Sequence, residues 1–312
     1  MGADAPQEVV ELAEQRARAR AEKDFAAADR LREQIAEAGW AVTDTPGGFA
    51  LEPAVEDGPM GPVAAGEVPS VLEEPPTADV SVQWVCEGWP EDIERALASF
   101  RTSAGDRAVQ YVVADVTDQP RGRWGDDVEV VSLARGTGWA TARNAGLRRA
   151  VGAVVLAMDG SVEAAGDVIG PLVAALADDG VGVCGPFGVL TEDLREFSEA
   201  PGPGDCDAIE GYLMAFRREM LSEAGPFDEK FKWYRTADIE WSFRVKDHGF
   251  RTVVVPVPVR QHEHRMWFET PPDRRATWSK RNYYRFLDRW RDRWDLVLSG
   301  KPEHDHHDDE HD

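Results

Sequence analysis

From Val80 to Cys184, short apolar runs alternate with stretches of helical spacing, and nothing else in this chain narrows its fold so far. Val80 to Cys86, Gln110 to Ala114, Val128 to Leu133, Ala153 to Met158 and Val181 to Cys184 have strand length. Between them, Ile93 to Phe100, Trp139 to Ala150 and Val168 to Ala177 repeat apolar residues at helical intervals. Strands alternating with helices predict an α/β fold with a mostly parallel sheet between helices. In such folds ligands sit beyond the carboxyl ends of the strands, so the residues after each run are the ones to inspect.

The flanks differ in character. Residues 8 to 38 carry Val9, Leu12, Ala13 and Ala17, then Phe25, Ala28, Leu31 and Ile35, a spacing that predicts two short helices. Asp24 is placed to cap the second helix and Gly39 to end it, and Trp40 to Asp44 and Phe49 to Leu51 flank a Thr45-Pro-Gly-Gly turn. The result is a module of residues 1–52, a helical hairpin plus a β-hairpin. Residues 53–78 hold six prolines, several acids and no Lys or Arg, the composition of a flexible, self-repelling linker. The main domain is expected over 79–300. Its last stretch, Pro271 to Leu298, places Trp278, Phe286, Trp290 and Trp294 among many arginines and predicts a long amphipathic helix. A His- and acid-rich tail, 301–312, is expected to be disordered.

Composition excludes several classes. In 312 residues, 35 Lys and Arg face 58 Asp and Glu, a formal charge of -23 that repels nucleic-acid phosphate, so nucleic acid is not an expected partner. No apolar run approaches the ~18 residues of a spanning helix, and the acidic, Ala-rich start lacks a signal peptide's order, which predicts a cytoplasmic protein. Cys86, Cys184 and Cys206 match neither a disulfide framework nor a zinc pair and are assigned to packing.

Candidate chemistry gathers at the strand ends. Asp115 and Asp118 follow the second strand, where a carboxylate can accept from a base or sugar, although loop aspartates also form turns. Gly136-Thr-Gly138 opens a helix carrying Arg143 and Asn144; it imitates a dinucleotide fingerprint, but Thr141 occupies the third glycine position. Asp159 ends the strand at Met158, where it can hold ribose or a divalent cation bridging a diphosphate. Asp238 opens a later helix, whose dipole favours the ionised form that a general base needs. His262 and His264 flank Glu263 and form a candidate metal pair, or hydrogen-bonded structure.

Residues Asp79 to about His264, roughly 190 positions, resemble family 2 glycosyltransferases of the GT-A fold. The resemblance rests on Gly138 through Gly152, similar to the family's "ARN.G" helix, on Gly225-Pro-Phe227-Asp228-Glu229, similar to "GgFDE", and on Ala237-Asp238-Ile239-Glu240 where "EDvD" is expected. It implies a GT-A-type α/β domain that moves a sugar from a nucleotide-sugar donor to an acceptor hydroxyl of unknown identity, with inversion. By the same resemblance, Asp115 contacts the base with Asp118 nearby, Arg143 and Asn144 steady the nucleotide, and Asp159 meets ribose or metal. Asp238 deprotonates the acceptor, and His262 joins Asp159 on a divalent cation, magnesium or manganese. The N-terminal module, through Arg16 to Arg32 and Gly39 to Gly47, resembles the C-terminal helical domain of cysteinyl-tRNA synthetases.

Three departures open alternatives. Gly160 and Ser161 replace the second and third acids of the metal motif, Ala237 replaces the acid before the base, and the opening "P-x-Y-N" is absent from Val85-Cys86-Glu87-Gly88. A catalytically degenerate scaffold that binds a nucleotide-sugar or a protein therefore stands as the alternative, and a tRNA-associated binding protein, through the N-terminal module, as a further one. The basic-aromatic helix near the C-terminus fits either peripheral membrane contact or packing with snorkelled arginines.

Overall fold

The computed structural model describes residues 5–21, 24, 27–28, 30–31, 34–35, 38, 40–45, 48–53, 62–120 and 122–300. The chain divides into two units, with the boundary between Met60 and Gly61.

In the first unit a helix, Gln7–Ala21, carries Glu8 in its first turn and Arg18 and Arg20 in its last, matching the helix dipole. The described positions between Ala27 and Ile35 are helical. Asp24 Oδ1 accepts the Ala27 backbone N–H at 3.0 Å, the N-cap bond its side chain predicts. β1 (Trp40–Thr45) and β2 (Gly48–Pro53) pair antiparallel, with Thr45 opposite Gly48. Val9, Ala13, Ile35 and Trp40 form the small core.

The second unit is built on β3 (Ala78–Cys86), β4 (Val109–Asp115), β5 (Val128–Ser132), β6 (Gly152–Met158), β7 (Val162–Ala164), β8 (Val181–Gly185), β9 (Gly188–Leu190), β10 (Ser198–Glu199), β11 (Gly204–Asp205), β12 (Ala208–Ile209), β13 (Leu213–Arg217), β14 (Arg251–Val254) and β15 (Val259–Gln261). Its main sheet has eight strands in the order β11-β14-β8-β13-β6-β3-β4-β5. The β5-β4-β3-β6 run is parallel; β13 lies antiparallel between β6 and β8. The mostly parallel α/β fold expected from the sequence is present.

Both faces of the sheet are covered, which is why its strands read as near-continuous apolar runs. Successive side chains of β6 enter different layers. Val154, Leu156 and Met158 join Trp84 and Phe100 on one side, while Val155 and Ala157 join Trp139, Phe216 and Trp241 on the other. The helices Pro90–Ser103 and Ile169–Ala175 belong to the first layer, and Trp139–Leu147 and Ala237–Asp247 to the second. Gly146 lets the helix Trp139–Leu147 lie close to β3: a Cβ there would stand 2.4 Å from Gln83 Nε2. The helix Pro272–Trp290 packs through Phe286 and Trp290 onto Phe243, and its arginines are tied down, Arg285 to Asp228 at 2.7 Å and Arg289 to Glu240 at 3.1 Å.

One expectation is revised. Residues 62–78, taken from composition as free linker, are fastened to the second unit. Val63 bridges to Leu133, the Val71 N–H donates to the Arg148 carbonyl at 2.9 Å, and the Thr77 N–H donates to the Val151 carbonyl at 3.0 Å. Arg148 donates to the Ala65 carbonyl at 2.7 Å, and Val68 is buried with Val112 and Leu133. A few spaced apolar residues with backbone pairing suffice to dock a segment that looks too polar for a core. The first part of the expected linker, 54–61, and the tail, 301–312, lie outside the described residues.

Candidate active site

The topology brings three distant segments to the carboxyl end of β6. Because β13 runs antiparallel to β6, with Leu213 opposite Met158, the residues entering β13 meet those leaving β6, and the Asp159 N–H donates to the Tyr212 carbonyl at 3.0 Å. The β15–β7 pairing places Gln261 opposite Val162, so the chain after β15 returns to the same place, where the His262 N–H donates to the Ser161 carbonyl at 2.7 Å. The helix Ala237–Asp247 then starts at the rim, where Asp238 Oδ2 accepts the Gly211 N–H at 2.6 Å.

A cavity of about 490 Å³ opens between them, lined by Trp139, Asp159, Glu210, Tyr212, Arg235, Asp238 and His264 among others. Asp159 Oδ1 accepts from the Ser161 N–H at 2.8 Å and from the Ser161 hydroxyl, and Oδ2 accepts from His264 Nε2 at 3.1 Å. Burial works to raise its pKa, but the His264 and Ser161 bonds prevail and hold the carboxyl below its ordinary range. Asp238 is opposite in sense: burial raises it, against the Gly211 and Ile239 backbone donors. Glu210 is pushed up to about 7, first by burial and then by the charge of Asp238. The cavity thus holds one carboxylate kept ionised and two whose proton affinity is raised, the separation of roles that acid–base chemistry needs.

Backbone strain marks the same place. Thr236, next to Ala237 and Asp238, has φ +72°, a left-handed conformation that a β-branched residue adopts only when its surroundings impose it. The buried Asn282 supplies the constraint, donating from Nδ2 to the carbonyls of Trp233 at 2.9 Å and Arg235 at 2.8 Å.

Of the residues singled out in the sequence, the structure unites Asp159, Asp238 and His264 on this cavity and places Asp115, Asp118, Arg143, Asn144 and His262 outside its lining. Asp115 is fully buried, and its carboxylate accepts from the Thr117 N–H and hydroxyl and the Gln119 N–H, forming a turn. Asp118, at φ +62°, is exposed beside Arg135. Arg143 is buried between strands, donating to the Gln83 carbonyl and Oε1 and to the Met158 carbonyl at 2.6 to 2.9 Å. Asn144 exchanges hydrogen bonds with the Phe227 backbone at 2.8 and 2.9 Å. Arg143 and Asn144 therefore tie the helix Trp139–Leu147 to β3, to β6 and to Phe227. His262 is corrected as a partner of Asp159: its Nε2 meets Glu163 Oε2 at 2.7 Å, and His264 takes the place beside Asp159. The two imidazoles follow β15 rather than lying in it, so strand alternation does not set their directions. Glu163 is occupied by His262 and Arg260 and does not replace the missing acids. Glu210, Arg235, Tyr212 and Tyr234 are further lining residues that the sequence did not single out.

The donor set bears on a divalent cation. Among the described residues no group of three His, Cys, Asp or Glu could hold a metal ion alone. Asp159 Oδ2 and His264 Nε2 lie 3.1 Å apart on the cavity wall, and once the proton between them is displaced they form a pair suited to a cation that also takes diphosphate oxygens and water. Among the described residues, no helix is long and apolar enough to cross a membrane.

Comparison with known proteins agrees with this architecture. Residues 106–235 match the model of Glycosyl transferase family 2, and residues 3–49 match that of the Cysteinyl-tRNA ligase anticodon binding domain. The N-terminal region is 54% identical over 52 residues to a cysteine–tRNA ligase of Opitutus terrae, covering 17% of this chain and 11% of that one. A cysteine–tRNA ligase of Burkholderia lata is 56% identical over 48 residues, 15% of this chain and 10% of that one. The chain thus spans only about a tenth of the length of these curated relatives. Its fold is similar to that of GalNAc-T7, solved with UDP, GalNAc and Mn2+, at a TM-score of 0.57 and 20% identity, covering 69% of this chain and 49% of that one. Over residues 106–235 the chain is therefore similar to family 2 glycosyl transferases, over residues 3–49 it is similar to the anticodon binding domain of cysteinyl-tRNA ligases, and its fold is similar to that of GalNAc-T7.

Proposed function

We propose that this chain transfers a sugar from a nucleotide-sugar donor to an acceptor hydroxyl with inversion at the anomeric carbon. The observation that carries this reading is one cavity lined by both Asp159, with His264 beside it, and Asp238, with Glu210. Diphosphate chemistry and base chemistry thereby have separate walls. The family match supports the reaction class, and the relative solved with UDP, GalNAc and Mn2+ supports the fold.

Asp159 and His264 would hold a divalent cation with the donor diphosphate; when bound, it supplies charge neutralisation to the leaving group. Asp238, oriented by the Gly211 and Ile239 amides, takes the acceptor's hydroxyl proton. The acceptor oxygen forms the new bond to the anomeric carbon as that carbon's bond to the diphosphate breaks, and the diphosphate leaves with the electron pair. Arg235 at the rim offsets the negative charge of Asp238 and Glu210. Trp139, whose face carries Arg143 5.1 Å away, supplies apolar wall. Asp115 and Asn144 act through the turn and the braces behind the donor side, and Asp118 stays exposed beside Arg135.

The test is calorimetric titration of the chain with UDP-, GDP- and dTDP-sugars, with and without manganese, followed by NMR of the product's anomeric centre. Retention of configuration, or no binding of any donor, rejects the reading. The degenerate-scaffold alternative is favoured by Gly160 and Ser161 and predicts donor binding without turnover. A tRNA-binding role for the first unit is favoured by its family match, but residues 1–52 carry eleven acids against six bases, which disfavours phosphate contact. Filter binding of the full chain to tRNA at low salt decides it.

A further inference from the structure

Two cations on the outer wall of the cavity are unlike most others in this acidic chain. Elsewhere on the surface, exposed and half-buried arginines pair with acids: Arg101 with Asp127, Arg149 with Glu129, Arg251 with Asp178 and Asp205. Arg195 and Lys280 line the cavity, and among the described residues neither has a carboxylate within ion-pair distance. They share the opening with Arg235 and with the carboxylates of Asp159, Glu210 and Asp238, and remain placed to take an anionic group of a ligand. Lys280 lies 6.0 Å from the centre of the Tyr284 ring, and burial raises the pKa of the Tyr283 phenol, with the charge of Arg195 opposing that rise. Ser279, next to Lys280 in the chain, lines the same cavity, and its hydroxyl is buried without a hydrogen-bond partner. A buried hydroxyl left unmatched carries a desolvation penalty that a ligand oxygen would relieve.

The turn that presents Arg195 is firmly built. Leu194 is buried at φ +60°, its N–H donates to Thr191 Oγ1 at 2.9 Å, and Asp193 Oδ1 accepts the N–H groups of Arg195 and Glu196 at 2.8 Å. A strained, anchored turn fixes where the guanidinium begins. This wall also belongs to a different packing cluster from the donor side. Phe197, Ile239 and Phe286 pack together beneath it, whereas Tyr212 and Tyr234 pack against His264 beside Asp159. Asp238, the proposed base, starts the helix that carries Ile239.

Resting on the proposed transferase reading, we infer that the acceptor carries a phosphate group, seated on Arg195, Lys280 and the Ser279 hydroxyl, with its reacting hydroxyl turned toward Asp238. A guanidinium, an ammonium and a hydroxyl on one cavity make up a donor set that phosphate oxygens take. The phosphate can belong to a soluble sugar phosphate or polyol phosphate, or to a lipid headgroup.

The test uses the full chain and inorganic phosphate as probe, followed by NMR of the protein's backbone amides. Phosphate binding is expected to survive in Asp159→Ala and to weaken at least tenfold in the double variant Arg195→Gln/Lys280→Gln. Arg274→Gln/Arg281→Gln, on the same helix but outside the cavity lining, is the control for diffuse charge. Equal weakening in that control, no phosphate binding by the unmodified chain, or unchanged binding in Arg195→Gln/Lys280→Gln overturns the inference. Sedimentation with phosphatidylglycerol vesicles, lost in Arg195→Gln/Lys280→Gln and blocked by free phosphate, identifies the headgroup source; phosphate binding without sedimentation identifies the soluble one. Nucleotide-sugar binding is measured in parallel on the same variants. Its absence from all of them rejects the transferase reading, while its presence with unchanged phosphate binding rejects only this inference.

Discussion

His264 Nε2 donates to Asp159 Oδ2 at 3.1 Å, joining residues 105 positions apart at the mouth of one cavity. Pairing of β15 with β7 makes this contact, because it returns the chain to the end of β6 just as Asp159 leaves it. The same pairing sends His262 to Glu163 instead. Two histidines with one residue between them therefore have separate tasks.

Their separation is measurable. His264→Ala and Asp159→Ala should each weaken manganese-dependent nucleotide binding at least tenfold, roughly 1.4 kcal/mol. His262→Ala should leave it within about twofold. Calorimetry with and without manganese checks this, and an equal loss for His262→Ala would mean that the cation lies nearer Glu163.

The two carboxylates at the acceptor side should appear in the pH–rate profile. Glu210 is held up to about 7, chiefly by burial and secondarily by Asp238, so below that pH it is protonated and above it the pair carries its full negative charge. Ionising Glu210 strengthens the neighbouring Asp238 as a base, so the rate should climb as pH rises through about 7 and then level. Asp238→Asn should lower kcat roughly 10²–10⁴-fold across the range. Glu210→Gln should remove the limb near pH 7 while retaining turnover. A limb that persists unchanged in Glu210→Gln assigns it to another group.

Arg143 was expected at the nucleotide, and its surroundings assign it to the fold. It is buried, its three donated bonds bridge β3 and β6, and burial pulls its pKa down to about 10. Arg143→Met leaves the carbonyls of Gln83 and Met158 without their donor, at about 1–3 kcal/mol per orphaned group. Thermal unfolding should therefore fall by roughly 6–12 °C for a loss of about 3 kcal/mol. An unchanged Tm with lost nucleotide binding would restore the ligand role.

The sheet was legible because burial on both faces leaves unbroken apolar runs, and each expected strand from Val80 to Cys184 is present. Asp159 and Asp238 were legible for a related reason: each stands at an element's end, where a chain-local pattern reveals it. Glu210 was not, nor was the pairing of the candidate ligand His264 with Asp159, because these depend on β13 running antiparallel to β6 and on β15 pairing with β7, and pairing between distant strands leaves no local trace. The one available signal for Glu210 was Glu210-Gly211 immediately before the apolar run Leu213 to Phe216. Residues 62–78 misled because composition reports average polarity, whereas docking needs only Val63, Ala65 and Val68 at the right places.

Glu87 gives a stability prediction with a definite sign. Its Oε2 is buried without a partner, and burial pushes its pKa up to about 8, with Asp159 adding to the rise and Arg143 opposing it. In the unfolded chain the same group ionises near 4.5. Between those values the unfolded state gives up the proton that the folded state keeps, so native stability is eroded as pH rises from about 4.5 to 8. Glu87→Gln removes that erosion. Its Tm advantage over the unmodified chain should be small at pH 5 and grow by a few degrees toward pH 8; a constant difference across pH would show that Glu87 is ionised in the fold.

Asn282 positions the acceptor side while lying outside the cavity lining. Asn282 is buried on the helix Pro272–Trp290, and its Nδ2 holds the carbonyls of Trp233 and Arg235, fixing the strained loop that delivers Thr236 and then Asp238. Asn282→Ala leaves both carbonyls without that donor and lets Thr236 relax from φ +72° toward ordinary values. The helix still docks through Phe286 and Trp290, so the chain should fold with a Tm lowered by only a few degrees. Asp238 would lose its fixed direction, and a displacement of about 1 Å in a reacting group is enough to lower the rate on the order of 10²-fold. Donor binding, carried by Asp159 and His264 on the other wall, should stay within about threefold. Steady-state kinetics beside nucleotide titration separates the two effects: a fall in kcat with donor affinity retained confirms a positioning role, whereas parallel loss of both would mean that Asn282 supports the whole cavity rather than the acceptor side.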